Sequence, residues 1–220
     1  DGLMSGNTGE TVKRYTMMMV GNLFIGICVG AYRLSAFGVD AFTCMNLGLS
    51  QFVGMSFGTW QLLVNVFILG LVFWKARGRI GPGTVVNMVG VGYLADFLCW
   101  LFLDVWQVEM TLPLRIAALL AGSVLSALGV ALYITPELGT APYDSLGLIV
   151  EDAAGGRVSF RSARVAIDVT AVVTGVVFCL LAGGELRLIL GVGTVCNALF
   201  NGPMIQFFRT RVAEPVMNQH

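Results

Sequence analysis

The sequence contains very few charged residues. Asp, Glu, Lys and Arg together make up 12% of its 220 residues, whereas hydrophobic residues make up 56%. Soluble domains carry about 25% charged residues, so a water-soluble globule would be unable to cover its surface with this chain. The formal net charge is zero, which gives no indication of nucleic-acid binding. The composition instead predicts a protein whose outer surface contacts the lipid bilayer.

Histidine and closely paired cysteines are also scarce. The single histidine is His220, the last residue, which argues against a histidine-based metal or catalytic site. The cysteines form no CxxC pair and lie in apolar surroundings, where cysteine behaves as a small apolar residue. We therefore predict neither a metal site nor a cofactor. The five cysteines are Cys28, Cys44, Cys99, Cys179 and Cys196.

The motifs of common enzymes are missing too. No GxGxxG follows a strand pattern, and the chain contains no P-loop and no HExxH. Ser145 lies in YDSLG, which lacks the first glycine of GxSxG, and no histidine is available as its base. We therefore expect that this protein is not an enzyme.

Long apolar segments dominate what remains. Six of them can cross about 30 Å of hydrocarbon at a rise of about 1.5 Å per residue. The first apolar run is too long for a signal peptide and has no small-residue cleavage site. These features predict an all-α polytopic membrane protein. The predicted spans are residues 15–36, 57–76, 84–104, 113–135, 160–182 and 188–208.

The flanking charges predict that both termini lie in the cytoplasm, as tails of residues 1–14 and 209–220. If the six spans alternate in direction, ten Lys and Arg residues fall at or near one side of the membrane. Arg33, Arg115 and Arg187 fall at the other side. Basic residues are enriched on the cytoplasmic side of membranes. This prediction holds only if two glycine-rich breaks, described below, do not cross the bilayer.

The chain reads as two copies of one unit. GTVVN at residues 83–87 recurs as GTVCN at residues 193–197, and Gly38 matches Gly139. The units, residues 15–106 and 113–208, each contain three spans. Because three is odd, the second unit must enter the membrane from the opposite side. The sequence therefore predicts two inverted three-helix repeats related by an axis in the membrane plane, which is the plan of many transporters.

A glycine-rich break follows the first span of each unit, at residues 38–54 and 138–153. We expect each break to hold a helix too short to span, capped by Asp40 in the first and by Thr140 in the second. One interpretation is a pair of re-entrant helices that meet near the midplane, where their N-termini favour a carboxylate or a phosphate. The alternative is a pair of amphipathic helices on the membrane surface.

Several polar residues lie inside the predicted spans, where a charge is costly and commonly functional. Arg164 lies one turn before Asp168 and can pair with it, while Asn65 occupies the position that matches Asp168. The alternative left open is that such residues only lock helices together, with Arg161 and Arg164 marking the cytoplasmic interface. The candidate substrate- or ion-binding residues are Asp168, Arg164, Arg161, Asp144, Thr140, Asp40, Asn65, Asp96, Asn197 and Asn87.

Three stretches resemble the bacterial YczE/YitT-type integral membrane proteins: SFGTWQLL at 56–63, GTVVN at 83–87 and LGTAPYDSLGL at 138–148. The resemblance covers residues 20–208, and GTAPYD is its most specific part. It implies a bacterial inner-membrane protein, for which transport is the usual guess, and it supplies no substrate. YitT-type members also carry a soluble C-terminal domain. Since this chain ends shortly after its last span, we expect it to be closer to YczE.

The function we predict is secondary transport of a small anionic or zwitterionic solute. The site would lie near the midplane at the interface of the repeats, and Asp168 or Asp96 could carry a coupling proton. The alternative is a non-transporting membrane protein that organises or regulates another protein. The expected partners are the bilayer and the solute, with no nucleic acid and with oligomerisation left open.

Overall fold

The structure, a computed structural model, describes residues 2–75, 78, 80–155, 157–158 and 160–218, without the side chains of 2–7, 148, 160 and 161. This part of the chain is helical and contains no strand. Its helices are α1 Gly2–Ser35, α2 Ala41–Val53, α3 Phe57–Lys75, α4 Pro82–Trp100, α5 Leu112–Ile134, α6 Pro142–Ala153, α7 Phe160–Leu181, α8 Leu186–Ile189, α9 Val192–Phe208 and α10 Glu214–Asn218.

Among the described residues, six helical stretches are long and apolar enough to cross a membrane, as the sequence predicts. Their outward faces carry large apolar side chains, for example Phe67, Trp74 and Leu181. An exposed apolar surface of this extent is expected of a protein that contacts lipid. The six stretches are Thr8–Ser35, Phe57–Lys75, Pro82–Val105, Leu112–Ile134, Ser162–Leu181 and Leu186–Asn218.

The helix ends differ from the predicted spans at both termini of the chain. Helix α1 begins at Gly2 rather than near residue 15. The last long helix, α9, begins at Val192 rather than at 188, because Gly191 before it is extended. It then continues through a π-helical turn, Arg209–Ala213, into α10. Hydropathy marks the part of a helix that fits in lipid, and it does not mark where a helix ends in water.

Helices α1 and α5 pack closely and run antiparallel. A Cβ added to Gly21 would lie 2.7 Å from the carbonyl oxygen of Gly129, so only glycine permits this approach of the two backbones. Arg14, near the start of α1, donates to the carbonyl of Pro136 after the end of α5 (2.6 Å). Arg115, near the start of α5, donates to the carbonyl of Ser35 at the end of α1 (2.7 Å). Each arginine thus satisfies carbonyls left free at a helix C-terminus.

The two short helices begin differently. Asp40 caps α2, because its Oδ1 accepts a hydrogen bond from the backbone N–H of Thr43 (3.0 Å). This prediction is confirmed. Thr140 was expected to cap α6 but does not: the N-cap residue is Ala141, which makes no side-chain hydrogen bond. The Thr140 hydroxyl instead pairs with that of Ser145 (3.0 Å), and Pro142 fills the first turn, where a missing N–H costs nothing.

Each short helix packs against a long helix from the other half of the chain. Helix α2 contacts α7 so closely that a Cβ on Gly48 would strike the carbonyl oxygen of Gly175. Helix α6 contacts α3 through Tyr143, which shares an apolar cluster with Ile68 and Val72. The helices of the two halves therefore interleave.

The glycines of the two breaks also contact the other half. Gly38 and Gly139 have φ angles of +95° and +108°, which favour glycine. Beside them, the N–H of Gly193 donates to Phe37 (2.7 Å) and the N–H of Gly83 donates to Leu138 (2.8 Å). The first N–H groups of a helix have no partner within that helix. The breaks supply the missing acceptors for α9 and α4.

Candidate functional site

A cavity of about 510 Å³ lies where the beginnings of α2 and α6 meet the long helices. The two short helices contact each other there, because the rings of Phe42 and Tyr143 stack with centroids 4.4 Å apart. Helices α1, α3, α4, α5, α7 and α9 complete the wall. Small-molecule sites typically measure about 300–1,000 Å³, so this cavity has the size of a site for a small solute.

One arginine lies between two carboxylates on the cavity wall. Arg164 Nη1 contacts Asp144 Oδ1 at 2.9 Å, and Arg164 Nε contacts Asp168 Oδ2 at 3.3 Å. Asp168 lies one turn after Arg164 on α7, whereas Asp144 is in the first turn of α6. The predicted pair is therefore present, and the break adds a second carboxylate to it.

Two tyrosines hold the remaining oxygens of this pair of carboxylates. The Tyr133 hydroxyl donates to Asp144 Oδ2 and the Tyr143 hydroxyl donates to Asp168 Oδ1, each at 2.7 Å. The guanidinium of Arg164 also lies over the Tyr143 ring, 4.9 Å from its centroid. Each carboxylate thus accepts one charged and one neutral hydrogen bond, which fixes the orientation of both. We refer to these five residues as the Arg164 network.

The cavity carries more negative than positive groups. Its described lining contains three carboxylates, those of Asp40, Asp144 and Asp168, and one guanidinium, that of Arg164. The side chains of Arg164, Asp144 and Asp168 are 31%, 38% and 37% exposed, so the cavity reaches them. Partial exposure weakens the ion pairs by screening and leaves the carboxylates accessible to a solute.

Another part of the wall carries two buried amides. Gln61 and Asn65 on α3 lie at the positions of the first unit that match Arg164 and Asp168, and they are 4% and 2% exposed. Within the described part of the chain, Gln61 Oε1 and Asn65 Nδ2 have no hydrogen-bond partner. Buried polar atoms are normally paired, so these two atoms stand out, and a bound solute would reach them only if the side chains turned towards the cavity.

Seven of the ten predicted site residues line this one cavity. The side chain of Arg161 lies outside the described residues. Thr140 bonds to Ser145 just beyond the wall, to which its neighbour Ala141 contributes. The seven lining residues are Asp168, Arg164, Asp144, Asp40, Asn65, Asn197 and Asn87.

Asp96 is the predicted residue that the fold keeps away from the cavity. It forms an ion pair with Arg33 at 2.7 Å and accepts a hydrogen bond from the N–H of Gly58 at 2.6 Å. Both partners belong to the same half as Asp96. These contacts link α1, α3 and α4, which is the helix-locking role that the sequence left open for it.

The asparagines have partners across the wall. Asn87 donates to Asn22 at 2.8 Å, and Asn197 donates to the hydroxyl of Tyr32 at 3.0 Å. Asn201 accepts a hydrogen bond from Ser126 at 3.3 Å. They therefore line the cavity and also connect α1 to α4, α1 to α9 and α5 to α9.

The sequence argument missed the two tyrosines of the Arg164 network. Tyr133, at the end of the predicted fourth span, lines the cavity. Tyr143 was passed over, although it stands beside Asp144 in GTAPYD and is therefore carried by the same helix turn. A tyrosine next to a carboxylate in a break is a sequence feature from which this role of Tyr143 could have been predicted.

Comparison with known proteins gives a family but no activity. The model of a "Family of unknown function (DUF6198)" matches residues 12–210. The "Uncharacterized membrane protein YczE" of Bacillus subtilis (strain 168) is 25% identical over 199 residues, which are 90% of this chain and 86% of that protein. An "Uncharacterized protein" of Haemophilus influenzae is 26% identical over 205 residues, 91% of this chain and 85% of that protein.

A second Bacillus subtilis (strain 168) relative, the "Uncharacterized protein YyaS", is 22% identical over 214 residues, which are 94% of this chain and 95% of that protein. No solved structure matches the chain significantly. The chain therefore aligns with these relatives over most of their length.

Proposed function

The chain belongs to the DUF6198 family of YczE-type membrane proteins, and we propose that it is a secondary transporter of a small polar solute. The observation that carries this proposal is the cavity between the two halves, with the Arg164 network on its wall. Charged groups inside a membrane protein commonly mark solute or proton pathways. A protein that only anchors or organises another needs no such cavity.

An inverted repeat is part of the proposal. The antiparallel packing of α1 and α5 supports it, because corresponding helices of inverted units run in opposite directions. Arg14 and Arg115 are separated by 101 positions, as are their acceptors Ser35 and Pro136, and each binds the other half. The paired contacts of Gly83 and Gly193 repeat this exchange at the two breaks.

The proposal also includes re-entrant short helices. Helices α2 and α6 have 13 and 12 residues, so at about 1.5 Å per residue they fall short of about 30 Å of hydrocarbon. Their first turns meet at the cavity, where Tyr143 contacts Asp168 in the interior of α7. Irregular backbone is tolerated at membrane depth where it lines a cavity.

We place the protein in a bacterial inner membrane with both termini in the cytoplasm. An even number of spans brings the termini to one side, and the excess of basic residues at that side supports the cytoplasm. Asp168 is the candidate for a coupling proton. Of the two solute classes expected from the sequence, the zwitterion is better supported than the anion, because Arg164 already pairs with two carboxylates.

Reconstitution into liposomes tests the proposal. A solute is first identified by its effect on the melting temperature of the purified protein, and its uptake into proteoliposomes is then measured by mass spectrometry. We expect uptake with the wild-type protein and with Asp152→Asn, an exposed position on α6 outside the cavity wall. Uptake should be lost with Asp168→Asn. A solute that binds without crossing the membrane would favour the alternative, a non-transporting partner or regulator.

A further inference from the structure

We propose that the solute group held by the cavity is a protonated amine, so that the protein selects organic ammonium compounds over anions of equal size. This inference deepens the proposed transport function and rests on the same cavity. It follows from the charges of the wall, from the hydrogen-bonding capacity left on the wall, and from the carboxylates at the starts of both short helices.

The charges of the wall favour a cation. Asp40, Asp144 and Asp168 face a single described cation, Arg164. The guanidinium bonds to Asp144 and to Asp168, so its single positive charge compensates for part of their two negative charges. An entering anion would meet an excess of like charge, whereas an entering cation would reduce that excess.

The hydrogen-bonding capacity of the wall points the same way. Each oxygen of Asp144 and Asp168 accepts one bond, from Arg164 or from a tyrosine. A carboxylate has about four lone-pair sites, so each of these carboxylates can accept more bonds. Gln61 Oε1 is a further acceptor with no partner among the described residues. The wall therefore offers many free acceptors.

The wall also carries free donors. Asn65 Nδ2 is the one buried side-chain donor of the described wall that lacks a partner, and Arg164 has five N–H groups, of which Nε and Nη1 make the bonds to the carboxylates. An ammonium group brings three N–H donors to the free lone pairs of the carboxylates, and a second polar group on the solute can accept from the remaining donors. The amide pair lies on α3, so the second group would extend from α7 towards that wall.

The two helix N-termini, where an anion was expected to bind, both carry a carboxylate of the chain. At the start of α2, Asp40 accepts the hydrogen bond of the Thr43 N–H. Asp144 lies in the first turn of α6, although its oxygens accept from Tyr133 and Arg164 and not from that helix's backbone. These negative charges reduce the attraction of the two N-termini for an anionic solute.

The size of the cavity distinguishes an organic cation from a bare ion. A volume of about 510 Å³ suits a molecule of several heavy atoms rather than one dehydrated metal ion. The stacked rings of Phe42 and Tyr143 add an apolar surface for the carbon chain of the solute.

A four-carbon series tests the charge preference at constant length. Binding of 1,4-diaminobutane, 4-aminobutanoate, 1,4-butanediol and succinate to the full protein in nanodiscs is measured by isothermal titration calorimetry at fixed ionic strength. We expect the two compounds that carry an ammonium group to bind more tightly than 1,4-butanediol, and succinate to bind most weakly, with the diamine at least about tenfold tighter than succinate. Succinate that binds as tightly as the diamine would overturn the proposal. Equal affinity for all four compounds, or no binding of any of them, would overturn it as well.

Variants locate the binding site. Asp144→Asn should weaken diamine binding about tenfold, because a charge-assisted hydrogen bond is lost. Asp152→Asn removes an exposed carboxylate from the same helix and should change nothing. Should Asp144→Asn fail to give a monodisperse protein, Gln61→Met, which removes the unpartnered acceptor without touching the ion pairs, serves as the second variant. Diamine binding unaltered by either variant would contradict the assignment.

The same protein in liposomes separates this inference from the transport function. Diamine that binds but does not cross would leave the amine preference intact and would remove the transporter. Uptake of succinate without uptake of the diamine would support the transport function and contradict the amine preference.

Discussion

At the scale of single residues, Arg164 determines the character of the cavity. Its guanidinium contacts one carboxylate on its own helix and one on α6, so it compensates for two charges with one. All three side chains remain about one-third exposed. A partly solvated network of this kind contributes little to stability, which suggests that its value lies in binding.

Changing Asp168 to Asn should abolish coupled uptake and leave the fold intact. In the proposed repeat the residue that matches Asp168 is Asn65, so we expect an amide to fit at this position. The loss is one charged contact to Arg164 and part of the bond from Tyr143, or about 1 kcal/mol of stability. Uptake measures the loss of transport and the melting temperature measures the stability of the fold, and both are determined on the same preparation.

Changing Arg164 to Gln, the residue at the matching position 61, should destabilise the protein more. Asp144 and Asp168 would then share the cavity wall without their cation. We expect a cost of about 2 kcal/mol, less than for a fully buried pair because solvent screens the charges. Adding Asp144→Asn should recover part of the loss in melting temperature. No recovery in the double variant would mean that Arg164 acts on stability by packing alone.

The residue scale also shows what the sequence can reveal. The pair of Arg164 and Asp168 was predictable, because one helix turn separates them. The contribution of Asp144 and Tyr143 to the same network was not, since it depends on how α6 packs against α7. Asp96 satisfied the same criterion as Asp168, a charge inside a span, yet it bonds to Arg33 and does not line the cavity. Polarity within a span marks a candidate, and the tertiary contacts decide its role.

At the scale of elements, the two breaks act through their glycines. Gly139 has a positive φ and lies against the start of α4, where an added Cβ would be 2.6 Å from both Gly81 N and Thr84 Oγ1. The break, α4 and α6 therefore constrain one another. The breaks themselves were evident from glycine and proline in the sequence. Their contacts with the other half were not, because the residues that form these contacts are far apart along the chain.

Gly139→Val should strongly lower the melting temperature. A positive φ costs a side chain about 1–2 kcal/mol, and overpacking against α4 adds about 1–3 kcal/mol. Gly54→Val is the matched control, because Gly54 also has a positive φ, of +76°, but has open space around its Cβ position. The difference between the two melting temperatures isolates the contact with α4. Equal losses would show that the close packing at Gly139 does not matter.

At the scale of the whole molecule, the arrangement of the spans predicts which loops face each side of the membrane. Single cysteines are introduced at Glu109, Arg187 and Gly78 in a variant whose five native cysteines are replaced by alanine, and intact cells receive an impermeant thiol reagent. We expect labelling at 109 and 187 and none at 78. Gly78 lies in the basic loop between α3 and α4. Arg77 in that loop lies outside the described residues, so Gly78 is used in its place.

The opposite pattern would reverse the orientation drawn from the basic residues. Labelling of residue 78 from outside, with the N-terminus inside, would make the breaks true spans and the two units parallel. The contacts of Arg14 and Arg115 with the opposite helix ends could then no longer be interpreted as support for inverted units.

The exchanged hydrogen bonds at the breaks have a consequence for biosynthesis. A ribosome delivers the chain from its N-terminus, so α4 enters the membrane while Leu138, the acceptor for Gly83, has yet to be made. The carbonyl of Phe37 lacks its donor for longer, since Gly193 is synthesised only after helices α1 to α8. In lipid an unpaired backbone group costs several kcal/mol. The first half therefore remains incomplete until the second emerges, and a prematurely terminated chain presents its unpaired groups to the proteases of the membrane.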